Sequence, residues 1–218
     1  EIKVGNVVSY DPVKKPKLND IKQALDILLK AKKPIIYSGG GVVNSGVKAS
    51  TALTDLVNYT NIPITQTLMG LGAVAANNKN FLGMLGMHGT YEANMAMHDC
   101  DVMLCVGARF DDRITGNLKY FSPNSKKIHI DIDPSSINKN VKVDLAVIGD
   151  CYYILNMLMK ELKASKSKID KNSIDKWWKT IDKWKRKDCL SFIDSEKSIK
   201  PQRALQELNK GLKGQDAY

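Results

Sequence analysis

The residues able to do chemistry in this chain gather at glycine-bearing turns that follow short apolar runs. Four such turns stand out: Gly39-Gly40-Gly41, Gly70-Leu71-Gly72, segment 83–89 and Gly107-Ala108-Arg109. A residue without a Cβ lets backbone amides approach a diphosphate, and a helix starting just after the turn favours the negative charge. The densest polar stretch, residues 107–116, follows the most apolar run and holds two of the chain's four arginines. Arg109 and Arg113 suit a phosphate or a carboxylate through paired hydrogen bonds, with Asp111 and Asp112 placed to orient the guanidinium groups. The plainer alternative is a local salt-bridge turn of little energetic weight. Asp131, Asp133 and Asp150 also follow apolar runs. Each suits a ribose hydroxyl, and each singly suits a turn or helix cap.

The nicotinamide fingerprint fails at two places. Gly39 and Gly41 supply its first two glycines, but Asn44 stands where the third belongs, and the second apolar run ends in Thr65-Gln66-Thr67 instead of an acid. A different dinucleotide, lying along one edge with its adenosine toward Asp131, Asp133 and Asp150, fits better. The four cysteines show no CxxC or zinc spacing, and His88, His98 and His129 are too scattered for a metal cluster. Cys105, inside an apolar run, and Cys100, just before it, read as reduced packing residues of a cytosolic-type protein.

The elements that must position these turns are legible from period. Ile21, Ala24, Leu25, Leu28 and Leu29 mark a helix entered at Asn19 or Asp20. Residues 34–37, 62–65, 81–84, 102–106, 128–132 and 145–148 are short and apolar on both faces, with helical or glycine-bearing stretches between them. That pattern predicts an open, doubly wound α/β fold with a mainly parallel sheet of five or six strands, whose strand-to-helix loops share one edge. A covering helix over 152–162, a polar stretch over 163–173, a tryptophan stripe at Ile174, Trp177, Trp178, Ile181 and Trp184, and a helix from Pro201 follow as a helical C-terminal extension. The stripe is expected to pack one helix on a neighbour.

At 218 residues the chain can bury a core of its own, and its 43% hydrophobic and 26% charged residues exclude a disulfide miniprotein, wholesale disorder and a membrane span. The net charge of +10 comes from 29 Lys and only 4 Arg, and it concentrates beyond residue 150, where 14 Lys and 2 Arg face 9 Asp and Glu. Lysines spread among carboxylates favour a solvated face over a nucleic-acid site, which leans on Arg forks.

Taken together, 34–41 (Pro-Ile-Ile-Tyr-Ser-Gly-Gly-Gly), 67–72 (Thr-Leu-Met-Gly-Leu-Gly), Met84-Leu-Gly-Met-His-Gly89 with Tyr91-Glu-Ala-Asn94, and Gly107-Ala-Arg-Phe-Asp-Asp-Arg-Ile-Thr-Gly116 resemble the central domain of acetohydroxyacid synthase (acetolactate synthase) catalytic subunits. The resemblance runs from about Leu18 to Asp150, and 201–218 resembles the opening of the next, thiamine-diphosphate-binding domain. It implies a Rossmann-like domain over 18–165, a linker over 1–17 from a missing N-terminal domain, a helical linker over 166–200, and a truncated next domain over 201–218. It also implies FAD extended over the contact segments Gly39 and Gly41, Thr67 and Leu68, Met87 and His88, Gly107 and Arg109, and Asp131, Ile132 and Asp150. Arg113 and Asp112 fall near the entrance to the active site. Thiamine diphosphate and Mg²⁺ would be held elsewhere, since the GDG motif has only Gly149-Asp150-Cys151 as a near match.

The implied enzyme joins two pyruvates, or pyruvate and 2-oxobutyrate, as a homodimer with a regulatory subunit, in the cytoplasm or in an organelle. This chain would be inactive alone. The alternatives are the middle domain of another thiamine-diphosphate decarboxylase or ligase, and a free-standing nucleotide-binding or lysine-rich nucleic-acid-binding module.

Overall fold

The computed structural model describes Pro12 and residues 15–212, so most of the expected linker over 1–17 and the end of the expected domain over 201–218 lie outside the described residues. Six strands, β1 (Pro34–Ser38), β2 (Ile64–Gln66), β3 (Phe81–Met84), β4 (Val102–Val106), β5 (Lys126–Asp131) and β6 (Leu145–Ile148), form one sheet in the order β3-β2-β1-β4-β5-β6. Every pairing is parallel, with Ile36 opposite Leu104 and Leu104 opposite Ile128 at the centre. The chain moves outward from β1 to β3, then returns to lay β4 against the other side of β1. That reversal opens a crevice at the carboxyl ends of β1 and β4, where doubly wound sheets bind ligands.

The continuous apolar runs reflect burial on both faces. Ile36, Leu104, Ile128 and Ile130 face a core closed by α1 (Leu18–Leu29), α3 (Val47–Thr60) and α6 (Cys151–Ala164). Ile35, Tyr37, Met103 and Cys105 face a second core with α4 (Tyr91–Asp99) and α7 (Lys171–Lys185). Two short helices, α2 (Gly40–Asn44) and α5 (Asp112–Thr115), sit in the loops after β1 and β4.

Helix α1 is capped two residues ahead of Asn19, the earlier of its expected caps. Lys17 is the N-cap without a side-chain bond, while Asn19 and Asp20 fall inside the first turn, where the Asp20 charge still suits the helix dipole. Helix α7 begins at Asp170, which accepts the Asn172 amide at 3.0 Å and the Ser173 hydroxyl at 2.7 Å. Those bonds, the Ser173 hydroxyl first, hold the Asp170 carboxyl below its usual range.

The tryptophan stripe packs as its period requires. Trp177 is fully buried, its indole N–H donates to the Pro34 carbonyl at 3.0 Å, and Trp184 meets its ring edge-on at 5.6 Å. The compact unit consequently reaches Lys187 and includes α7. Residues from Asp188 form a separate unit carrying α8 (Pro201–Gly211), whose Leu205 and Leu208 are exposed.

Candidate functional site

Three loops at the carboxyl edge of the sheet lock together through glycines. A Cβ on Gly41 would lie 2.7 Å from the Gly107 Cα, and one on Gly70 would lie 2.7 Å from the Ser38 carbonyl oxygen. A Cβ on Gly39 would collide with the Gly107 carbonyl. Gly107 itself adopts a left-handed φ of +60°. Backbone bonds run through the same contact, from the Gly39 amide to the Val106 carbonyl at 2.9 Å and from the Gly41 amide to the Gly107 carbonyl at 3.0 Å. The absent side chains of Gly39 and Gly41 thus admit a neighbouring loop, and this packing shapes the cleft that the sequence assigned to their direct approach to a phosphate.

The loop after β4 is braced from below. The Ala108 carbonyl accepts from the buried His129 Nε2 at 2.8 Å and from the Cys105 thiol at 3.2 Å. Phe110, at φ +53°, turns its ring inward against His129, Tyr37 and Phe121, which leaves Arg109 and Asp111 facing outward. After β2, Thr67 caps the turn Leu68–Gly70 by accepting the Gly70 amide at 3.0 Å, and Leu68 and Met69 stand exposed as an apolar lip.

Between these loops lies a cleft of about 730 Å³, within the range of small-molecule and cofactor sites. Gly39, Gly41, Thr67, Leu68, Gly107, Arg109, Asp131, Ile132, Asp150 and Arg113 all line it. Met87 and His88 lie on the neighbouring 85–90 loop, exposed and off the cleft wall; the Met87 amide donates to the Arg113 carbonyl at 3.2 Å, so that loop buttresses α5. Asp112 is likewise exposed and off the wall. The lining also includes Tyr37, Asn44, Ser45, Asp111 and Ser136. The signal for Asn44 and Ser45 was their place directly after the glycine turn; Tyr37 read only as a strand residue.

The cleft is electrically polarised. At the β5–β6 end stand Asp131, Asp133 and Asp150, and each also caps a turn or helix: Asp131 accepts the Asp133 amide at 2.9 Å, Asp133 the Ser135 amide at 2.9 Å, and Asp150 the Tyr152 amide at 2.9 Å. Asp150 additionally accepts the Ser45 hydroxyl at 2.8 Å, which joins the two sides of the cleft. Capping and ligand contact are compatible, because a carboxylate offers about four lone-pair sites. At the other end, Arg109 meets Asp111 at 3.5 Å on the surface, a contact of small energetic weight. A hydrogen bond with Asp112 and one from the Arg113 amide hold the Asp111 carboxyl below its usual range. The Arg113 side chain makes no ion pair within 4 Å of a carboxylate among the described residues, though its charge also favours the ionised Asp111 carboxyl.

Residues 21–158 match the family model described as thiamine pyrophosphate enzyme, central domain. The chain belongs to this family. It is 46% identical over 209 residues to the acetolactate synthase large subunit of Buchnera aphidicola subsp. Schizaphis graminum, covering 96% of this chain and 36% of that protein. It is 43% identical over 210 residues to the acetolactate synthase isozyme 3 large subunit of Escherichia coli K12, with the same coverage. With the probable acetolactate synthase large subunit of Methanococcus aeolicus it shares 42% identity over 207 residues, 93% of this chain and 34% of that protein. The chain thus spans about a third of the length of these relatives. As a thiamine pyrophosphate enzyme central domain, it carries the six-stranded sheet and the edge cleft within the matched residues.

Proposed function

We propose that this chain is the central, flavin-nucleotide-binding part of an acetolactate synthase large subunit. The observation that carries the reading is a single edge cleft, built by glycine-locked loops, with arginines at one end and three carboxylates at the other. The donor set fits FAD. Asp131 and Asp150 would accept ribose hydroxyls, the edge around Gly39, Gly41 and Gly107 would pass the diphosphate, and Arg109 with the Thr67–Leu68 lip would hold the flavin half. Bound there, FAD would supply a planar ring and two phosphate charges, while carbon–carbon bond formation belongs to thiamine diphosphate.

In this reading the residues of this chain bind and orient. Arg113 stands at the rim and takes the carboxylate of a 2-oxo acid as it enters, so that two pyruvates, or pyruvate and 2-oxobutyrate, reach a thiamine diphosphate and Mg²⁺ held by other parts of the protein. Those other parts, a second large subunit and a regulatory subunit are the partners expected, in the cytoplasm or an organelle. No helix among the described residues is long and apolar enough to cross a membrane.

One experiment addresses both ends of the cleft. The intact protein should take up one equivalent of FAD. Its Arg113→Ala variant should keep the flavin but raise KM for pyruvate about 10- to 100-fold, the worth of one charged hydrogen bond. Failure to take up flavin contradicts the cleft assignment; unchanged pyruvate kinetics in Arg113→Ala contradicts the role of that guanidinium.

A further inference from the structure

The wall of the cleft includes a phenol that the protein itself does not partner. Tyr37 is 1% exposed, and its ring packs against Phe110 at a centroid distance of 5.7 Å. It nonetheless contributes to the cleft lining, as do Ala108, Asp111, Arg113 and Ile114, and its hydroxyl opens on the cleft without a hydrogen bond to any described residue. A tyrosine hydroxyl on a buried ring ordinarily finds a partner, and here only water or a ligand in the cleft can supply one, since the hydroxyl is not among the polar atoms sealed from solvent. Burial above all, with Cys105 and Asp111 nearby, pushes the phenol well above its ordinary range, so it remains a donor at any working pH. What it lacks is an acceptor.

Tyr37 lies on β1, next to β4, whose loop carries Arg109 and Arg113, and Asp111 of that loop is within its electrostatic reach; Asp131 and Asp133 follow β5 and Asp150 follows β6, two and three strands across the sheet. An adenosine half lying against those carboxylates puts the other half of an extended dinucleotide beside Tyr37. We infer that Tyr37 is a specificity-determining residue of this cleft, whose hydroxyl donates a hydrogen bond to an oxygen acceptor on the flavin half of the bound nucleotide. The inference rests on the flavin reading above and adds a residue and a direction to it: the cleft discriminates a nucleotide with an acceptor at this point from one that ends at its diphosphate.

Tyr37→Phe in the intact protein tests this, because it removes one oxygen and leaves the ring packed. FAD should bind about three- to tenfold more weakly, the worth of one neutral hydrogen bond, while ADP, which lacks the flavin half, should bind as to the unaltered protein. The flavin-free variant should melt no lower than the flavin-free parent, since the hydroxyl it loses had no protein partner. Unchanged FAD affinity overturns the inference. So does an equal loss for FAD and ADP with a lowered melting temperature, which would mark a structural role. A parent protein that binds ADP but not FAD, or neither, removes the flavin reading itself, and that result is separate from any difference between parent and variant.

Discussion

Gly107→Ala should lower the stability of the compact unit by about 2–4 kcal/mol and weaken flavin binding by at least ~1.4 kcal/mol, or tenfold. Two costs combine. The backbone there has φ +60°, a region that costs a residue with a Cβ roughly 1–2 kcal/mol. The added methyl would also lie 2.8 Å from the Gly41 Cα and 3.0 Å from the Val42 nitrogen, which are backbone atoms of the facing loop and cannot swing aside. Relief requires the β1 and β4 loops to separate, and their contact shapes the cleft. Gly116→Ala isolates the backbone cost: at φ +53° and ψ −128° any residue with a Cβ is strained, yet nothing lies within 4 Å of the position its Cβ would take. Both variants should lose stability in urea unfolding, but only Gly107→Ala should lose flavin affinity. A Gly107→Ala variant that binds flavin normally, or a Gly116→Ala variant that loses as much affinity, would show that the interlock does not shape the site.

The second large effect falls at the other end of β1. Trp177→Ala should cost about 3–5 kcal/mol, the range for deleting a buried aromatic side chain. Trp177→Phe, which fills much of the same space but leaves the Pro34 carbonyl without its 3.0 Å donor, should cost about 1–3 kcal/mol. Flavin affinity should survive in Trp177→Phe. Pro34 opens β1 and Ser38 closes it, so the cleft lies about 13 Å along the strand from this contact. Denaturant titration reads the first effect and flavin titration the second. A Trp177→Phe protein as stable as its parent would mean that α7 is not anchored by this bond.

These two positions also show what the sequence made legible. All six strands stood out as apolar runs because burial on both faces removes polar alternation, and α7 stood out because Ile174, Trp177 and Ile181 repeat at helical spacing. Such signals are local in the chain. The close approach of Gly39 and Gly41 to Gly107 joins loops far apart in sequence, so the glycines were visible and their reason was not. The same holds for Trp177 and Pro34: a helix face was legible, its acceptor was not, and the compact unit runs through α7 to Lys187. At the site, residue type led to Arg113 and to Asp131 and Asp150, because charge after an apolar run reads directly. Tyr37 escaped notice because a phenol inside an apolar strand has the sequence appearance of core. Met87 and His88 follow a glycine turn like the others, but that turn supports α5 through the Met87 amide and stays off the wall.

Amide hydrogen exchange of the intact protein with and without FAD tests most directly whether one edge of the sheet holds the whole nucleotide. Slowing should appear together at 39–45, 67–70, 107–113, 131–136 and 150–152, the segments that close on the cleft. The start of β1 and the Trp177 contact should exchange as before. Protection confined to one of those loops, or appearing at the amino-terminal ends of the strands, would contradict the account.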